Sequence, residues 1–334
     1  MNASLWDRVQ GAVAAIAHLA RRWSRLFSAL FILAIFGLLI RQLVLDWHNV
    51  PEGFFSSVRY PLLLASLAAL APALLLVSLR WSLTLWAMGT PIGWWSSVQI
   101  WFLSQAGRYL PGGIWTYVSR YWLGRSVMAQ EALVTSMVLE TGLRVVSEVL
   151  VFLVSIPLWT GGHRIGAEAT LLLIAAAILG LALVHPRVLD WLGRTRLALR
   201  LGIKPMDLSN LRYGTVLVLL SYYMLTVFLV GAAFYLLVAA LYPVGLTQLV
   251  PLAGSLSLSV VLGFLMPLAP NGWGVREGVL AFLLSQMMPP SVAIVVAAAA
   301  RIWLGLGEVA WIAIALLARR IAAGKKTEIT QTGY

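Results

Sequence analysis

Residues 267–277 read Pro-Leu-Ala-Pro-Asn-Gly-Trp-Gly-Val-Arg-Glu, and they separate two apolar runs at 249–266 and 279–288. Two prolines and two glycines interrupt the helical hydrogen bonds there, and an Arg-Glu pair follows at once. In a bilayer, broken backbone and charge are tolerated only inside protein or against a water-filled cavity. The stretch therefore predicts either a short polar loop between two spans or a re-entrant tip that lines a substrate path.

The composition is that of a chain built almost wholly inside a bilayer. Hydrophobic residues make up 61% of the 334, which leaves too little polar surface to cover a soluble fold. The formal charge of +12 indicates cytoplasmic loops and anionic lipid headgroups rather than nucleic acid. Cysteine is absent and the four histidines show no ligand spacing, so we expect no metal and no cofactor.

The apolar runs predict an all-α polytopic membrane protein. Residues 1–25 form an amphipathic interfacial helix, 26–320 a single transmembrane domain that includes a basic interfacial segment at 185–212, and 321–334 a cytoplasmic tail. Because basic clusters stay on the cytoplasmic side, we expect both termini there, in the cell inner (cytoplasmic) membrane. This leaves about six full spans, at 26–45, 61–86, 132–159, 169–184, 213–241 and 291–318, and two re-entrant helical hairpins, at 97–123 and 249–288.

Two halves of the chain present the same features in the same order: a span, a Pro/Gly break and a span that carries Arg and then Glu. Arg144 follows Pro111 by 33 residues, and Arg301 follows Pro270 by 31. Since the first half starts outside and the second inside, they form an inverted repeat, as in many secondary transporters. The repeats are residues 60–159 and 213–318. The predicted hinge residues at the re-entrant tips are Pro111, Gly112, Gly113, Pro270, Asn271, Gly272 and Gly274.

Charged residues inside the spans are the candidates for the site. Glu140, Arg144 and Glu148 are four apart, so they share a helix face and can neutralise one another. Either they form a buried network that fixes helix packing, or Arg144 and Arg301 present planar guanidinium forks to a lipid phosphate. In the second interpretation a neighbouring glutamate acts as a protonation switch.

The other candidates flank the two breaks and carry alternatives of their own. Arg276 and Glu277 form a tip salt bridge or contact substrate, and Trp115 and Trp273 fill the tips or pack against a sugar or lipid stem. Arg108 and Arg120 contact substrate or serve as cytoplasmic anchors, the second being favoured for Arg120. The candidate substrate-binding residues are Arg144, Arg301, Arg276, Glu277, Glu140, Glu148, Glu308, Arg108, Arg120, Trp115 and Trp273.

Residues 270–277, Pro-Asn-Gly-Trp-Gly-Val-Arg-Glu, resemble the Pro-Gly-Gly-x-Gly-Val-Arg-Glu motif of the lysylphosphatidylglycerol synthase transmembrane family, with Asn271 in place of one glycine. Glu140, Arg144 and Arg301 resemble charges that members carry within spans. The first break, 111–116, departs from the family because it lacks the glutamate of members related to aminoacyl-lipid export. The resemblance implies a flippase-like, standalone member without a soluble synthase domain.

That resemblance implies a flippase or translocase that moves a phosphate-bearing lipid across the cytoplasmic membrane by alternating access. A polyprenyl-phosphate-linked sugar or a modified phospholipid would be its substrate, and a glycosyltransferase or synthase its candidate protein partner. The alternatives are an integral-membrane transferase that uses a lipid-phosphate donor and an accessory subunit of a lipid or glycan synthesis complex. We expect no enzyme activity, because the acids near the breaks are only Glu277 and, more distantly, Glu131.

Overall fold

The computed structural model describes residues 57–109, 114–159, 167–183, 211–266 and 272–332, together with residues 41, 185, 188 and 208. This part of the chain is helical. Its α-helices are α1 Tyr60–Ala87, α2 Trp94–Gln105, α3 Trp115–Gly124, α4 Gln130–Trp159, α5 Ala167–Leu183, α6 Tyr213–Leu241, α7 Leu249–Leu265, α8 Val275–Leu284 and α9 Pro290–Thr332. Two 3-10 turns, Ala106–Tyr109 and Leu246–Gln248, follow α2 and precede α7.

Several predicted segments lie outside these described residues. They are the interfacial helix at 1–25, the span at 26–45 apart from residue 41, most of the basic segment at 185–212, and the two break centres at 110–113 and 267–271. The tail predicted for 321–334 is a continuation of α9, which runs without interruption as far as Thr332.

Length and hydropathy decide which helices can cross a bilayer. Within the described residues, four helical segments are long and apolar enough to do so: Tyr60–Ala87, Tyr213–Leu241, Leu246–Leu265 and Pro290–Ile321. Three of them correspond to predicted spans, whereas Leu246–Leu265 is the first arm of a predicted hairpin. A further helix, α4, has 30 residues, or about 45 Å, but it carries internal charges. An α-helical fold is thus confirmed, and the number of full spans and the re-entrant hairpins stay predictions.

The helices beside the two breaks are short. α2 has 12 residues, and α3 and α8 have 10 each, so they reach about 18 and 15 Å against a hydrocarbon core of about 30 Å. Each packs against the helix across its break, α2 against α3 and α7 against α8. A Cβ on Gly272, whose φ is +67°, would lie 2.7 Å from the Cα of Gly263, so this close return of the chain requires glycine.

The helix contacts come in matched pairs. α1 lies along α6; α2 packs against α1 and α9, as α7 packs against α6 and α4. α3 contacts α4 as α8 contacts α9, and α4 contacts α6 as α9 contacts α1. Exchanging α1–α4 for α6–α9 therefore reproduces the same set of contacts. Small residues permit the closest crossings, since a Cβ on Gly231 of α6 would lie 3.0 Å from the Cα of Ala253 on α7.

Candidate functional site

A cavity of about 400 Å³ lies between the two sets of helices, with walls drawn from α1–α4 and α6–α9. Its volume falls in the range of roughly 300–1,000 Å³ typical of small-molecule sites. Eight charged residues line it among those that the structure describes. They are Arg80, Arg108, Arg120, Arg144 and Arg276, together with Glu140, Glu148 and Glu308.

A buried ion pair in the wall joins α3 to α4. Arg120 pairs with Glu140, and their side chains are 3% and 9% exposed. Glu140 also accepts a hydrogen bond of 2.9 Å from Trp101 Nε1, and the Arg120 guanidinium lies over the rings of Trp81 and Trp101. Arg120 is therefore a buried cavity residue and not an exposed cytoplasmic anchor. Glu140 is neutralised from α3, rather than from within α4 as the four-residue spacing suggested.

A second ion pair closes another side of the cavity. Arg108, in the 3-10 turn after α2, pairs with Glu308 on α9. Both side chains are largely buried, at 19% and 12% exposed. The pair joins residues 200 positions apart, so it ties the first break to the last long helix. Arg108 therefore forms part of the cavity wall, and its contact with substrate stays a prediction.

Arg80 is a buried arginine of the cavity wall that was not among the predicted site residues. It is 3% exposed and lies deep in α1, where Nε donates a 2.6 Å hydrogen bond to Thr226 Oγ1 and Nη2 a 3.0 Å bond to the Tyr223 carbonyl. Its Cζ lies 5.0 Å from the centre of the Tyr223 ring. A charge twenty residues into an apolar helix was the available signal, because such residues face the protein interior.

Glu148 stands among three arginines of different helices. It interacts electrostatically with Arg80 of α1, Arg144 of α4 and Arg276 of α8. Arg144 also lies 4.6 Å above the ring of Phe264, near the end of α7. Arg144, Glu148 and Arg276 all line the cavity, so the structure brings these three predicted site residues together.

Arg301 lies behind this wall and not on the main cavity. Its Nε is 3.4 Å from Glu277 Oε1, and its Cζ is 5.1 Å from the ring centre of Trp273. The other oxygen of Glu277, Oε2, accepts a 2.7 Å hydrogen bond from the Gly274 amide and so caps α8. Arg301, Glu277 and Arg276 share a separate void of about 10 Å³. Glu277 thus faces Arg301, whereas its neighbour Arg276 reaches the main cavity.

The described flanks of both breaks reach the same cavity. Ile114 follows the first break and Gly272 belongs to the second, and both line the cavity. Trp115 and Trp273 stand beside the breaks, 40% and 39% exposed, and are not among its lining residues. Gly274 has a φ of +82°, which suits glycine. The remaining predicted tip residues, Pro111, Gly112, Gly113, Pro270 and Asn271, lie outside the described residues.

Gln105 is a neutral wall residue that was not among the predicted site residues. It is 2% exposed, and it lines the cavity at the end of α2. Its side-chain oxygen has no hydrogen-bond partner among the described residues. Buried polar atoms are nearly always paired, so the site holds an acceptor that a bound molecule could use.

The wall as a whole suits an anion. Arginine forks bind phosphate and carboxylate oxygens in pairs, and burial strengthens such contacts. Among the residues that the structure describes, no group of three or more His, Asp or Glu side chains could hold a metal ion.

Comparison with known proteins indicates the family to which this chain belongs. No curated protein matches the chain. A family of membrane domains, described as the lysylphosphatidylglycerol synthase TM region, matches residues 25–307, which is most of the chain and includes every residue that lines the cavity except Glu308. The motif at 270–277 and the intramembrane charges that carried the resemblance lie inside this match. The protein is therefore a multi-pass membrane protein and belongs to the lysylphosphatidylglycerol synthase TM region family.

Proposed function

We propose that this protein is a lipid translocase that moves a phosphate-bearing lipid across the membrane by alternating access. The observation that carries the proposal is the cavity, in which arginines from five helical segments surround one space. A lipid phosphate that crosses hydrocarbon unpaired costs many kcal/mol, so a translocase must supply fixed cations along its path. The family as a whole is a membrane domain linked to lipid modification and translocation.

Arg144 is the residue that we assign to direct phosphate contact. It lies on the cavity wall, and its planar guanidinium suits bidentate binding. Arg301, its counterpart in the second half, is held by Glu277 in the present arrangement. Our proposal has Arg301 reach the phosphate only after that pair separates, when the cavity opens to the other side. Glutamates would hold the arginines when the site is empty.

Alternating access requires two halves that can exchange roles. The matched helix contacts support an inverted repeat, since exchanging the two sets of helices reproduces the same neighbours. Ile114 and Gly272 lie on one cavity, which supports breaks that approach each other as re-entrant tips. Glycine at Gly272 and Gly274 would absorb the dihedral changes of a hinge.

The headgroup of the lipid substrate would be small and polar, and the tails of the lipid would remain in the bilayer. Gln105 offers an acceptor to a hydroxyl, which fits a phosphate-linked sugar or a glycerol headgroup. At the cavity edge, Ile114 and Phe264 are 61% and 40% exposed and offer apolar contact to a lipid stem. We further propose an inner-membrane location with both termini cytoplasmic, and a glycosyltransferase or synthase as the enzyme that makes or uses the lipid.

Reconstitution in proteoliposomes tests this function. A lipid with a labelled phosphate headgroup is placed in the inner leaflet, and its appearance outside is followed with a membrane-impermeant reagent. We expect faster exposure than in protein-free liposomes, with the lipid chemically unchanged by mass spectrometry. A modified lipid would identify a membrane transferase. Exposure no faster than in empty liposomes for every phosphate lipid would identify an accessory role.

A further inference from the structure

The charges around the cavity do not cancel. Arg108 is paired with Glu308, and Arg120 with Glu140, so these two pairs are neutral. Behind the wall, Arg301 and Glu277 form a third neutral pair. Among the lining residues that the structure describes, the charged ones that remain are Glu148 and the three arginines that interact with it electrostatically, Arg80, Arg144 and Arg276. These three cations and one carboxylate give the described part of the wall an excess of two positive charges.

An uncompensated charge is costly in a site of low dielectric constant, so the best occupant carries two negative charges. A phosphate monoester carries about 1.5 to 2 negative charges near neutral pH. A pyrophosphate bridge between a lipid and a second group likewise carries a charge on each phosphate. A phosphodiester lipid carries one, and an amino-acid ester on that lipid would add a positive charge.

We propose that the site selects lipids whose headgroup is a doubly charged phosphate, either a terminal phosphate monoester or a pyrophosphate. Arg80, Arg144 and Arg276 share the two charges, and Glu148 keeps the third guanidinium balanced. The proposal rests on the proposed translocase function and narrows it, because singly charged phospholipids bind less tightly. Arg80 becomes a specificity residue, since Thr226 and the Tyr223 carbonyl fix its guanidinium at the cavity wall.

Binding to the purified full-length protein tests the inference. The probes are short-chain phosphatidic acid, which is a doubly charged monoester, short-chain phosphatidylglycerol, which is a singly charged diester, and glycerol 3-phosphate, which lacks tails. Native mass spectrometry measures each dissociation constant. We expect phosphatidic acid to bind at least about tenfold more tightly than phosphatidylglycerol, because one more charge is compensated. It should also bind more tightly than glycerol 3-phosphate, since the apolar cavity edge contacts the stem.

Three variants connect the preference to the arginine cluster. Arg144→Gln should reduce the ratio of the two lipid affinities to within about threefold, whereas Arg144→Lys should retain the ratio with weaker binding of both lipids. Arg125→Gln is the matched control, because Arg125 is exposed and lies off the cavity. Arg80→Gln is measured in parallel and should reduce the ratio as Arg144→Gln does, and size-exclusion profiles identify any variant that misfolds.

Each outcome has one meaning. Equal affinities of the wild-type protein for the two lipids would overturn charge selection and leave the translocase proposal standing. A preference that survives in Arg144→Gln and Arg80→Gln would overturn the assignment to this cluster. Failure of both lipids to bind, or tighter binding of glycerol 3-phosphate than of either lipid, would overturn the proposed lipid site itself.

Discussion

Arg120 and Glu140 form an ion pair between α3 and α4 that is almost fully withdrawn from the surface, at 3% and 9% side-chain exposure. Removing one partner of such a pair leaves a buried charge without compensation. Because that cost opposes separation of the two side chains, the pair holds the helix after the first break against the helix that carries Arg144. In the second half, Glu277 of α8 and Arg301 of α9 occupy the corresponding helices with the charges exchanged.

Glu140→Ala should destabilise the protein strongly. The substitution leaves the buried Arg120 guanidinium without its carboxylate and removes the hydrogen-bond acceptor of Trp101. Breaking a buried ion pair in this way lowers the free energy of unfolding by about 3–5 kcal/mol. Thermal unfolding in detergent measures the change. Arg120→Met combined with Glu140→Gln should recover most of the lost stability, and Glu131→Ala, at an exposed site on the same helix, should change little. Equal losses of thermal stability in Glu140→Ala and Glu131→Ala would show that Arg120 and Glu140 do not compensate each other's charge.

Gln105→Leu should raise thermal stability while it weakens binding of hydroxyl-bearing lipid headgroups. The buried amide oxygen lacks a partner, and such a group costs roughly 1–3 kcal/mol. Unfolding temperature and affinity for short-chain phosphatidylglycerol are the two measurements. Gln99→Leu is the control on the same helix and should leave the affinity unchanged. Unchanged affinity in Gln105→Leu would remove this residue from the binding site.

Cysteine labelling should show that the cavity contains water. The chain has no cysteine, so a single substitution provides the only reactive thiol. Thr141 lines the cavity on α4, whereas Val154 of the same helix is 52% exposed and faces away from it. In membranes, Thr141→Cys should react with a charged thiol reagent and Val154→Cys should not, because thiolate does not form in lipid. The reverse order of reactivity would contradict the assigned faces of α4.

Gly231→Ala should loosen the packing of α6 on α7. The added Cβ would lie 3.0 Å from the Cα of Ala253, and backbone cannot turn aside as a side chain can. Overpacking of this kind costs about 1–3 kcal/mol. Gly142→Ala is the matched control, since nothing lies within 4 Å of its Cβ position, and it should be neutral or slightly stabilising. The unfolding temperatures of both variants are measured, and equal stability of the two would contradict the close packing of α6 on α7.

Much of the fold was predictable because long apolar runs have few alternatives in a bilayer. The span predicted at 213–241 has the observed bounds of α6, and that at 61–86 differs from α1 by one residue at each end. Leu246–Leu265 is long enough to cross the bilayer by itself, although residues 249–266 were predicted to be one arm of a hairpin. Hydropathy alone does not distinguish a hairpin arm from a span of this length.

The site was predictable in part, where charges interrupt apolar runs. Arg144, Glu148 and Arg276 were predicted for that reason, and they line one cavity. Partners distant in sequence could not be assigned: Glu140 was expected to pair within α4, but it pairs with Arg120 from across the first break. Arg80 was not predicted as a site residue, because its contacts with residues 143 and 146 positions away cannot be inferred from local spacing.

The most direct test compares Arg144→Ala with wild type and with Arg125→Ala in the proteoliposome assay. Arg144 is the cavity cation assigned to phosphate contact, whereas Arg125 is exposed and lies off the cavity. We predict that Arg144→Ala lowers the rate of phosphate-lipid exposure by at least about a hundredfold, the effect of roughly 2.7 kcal/mol, while Arg125→Ala remains at the wild-type rate. Wild-type transport by correctly folded Arg144→Ala protein would contradict the account.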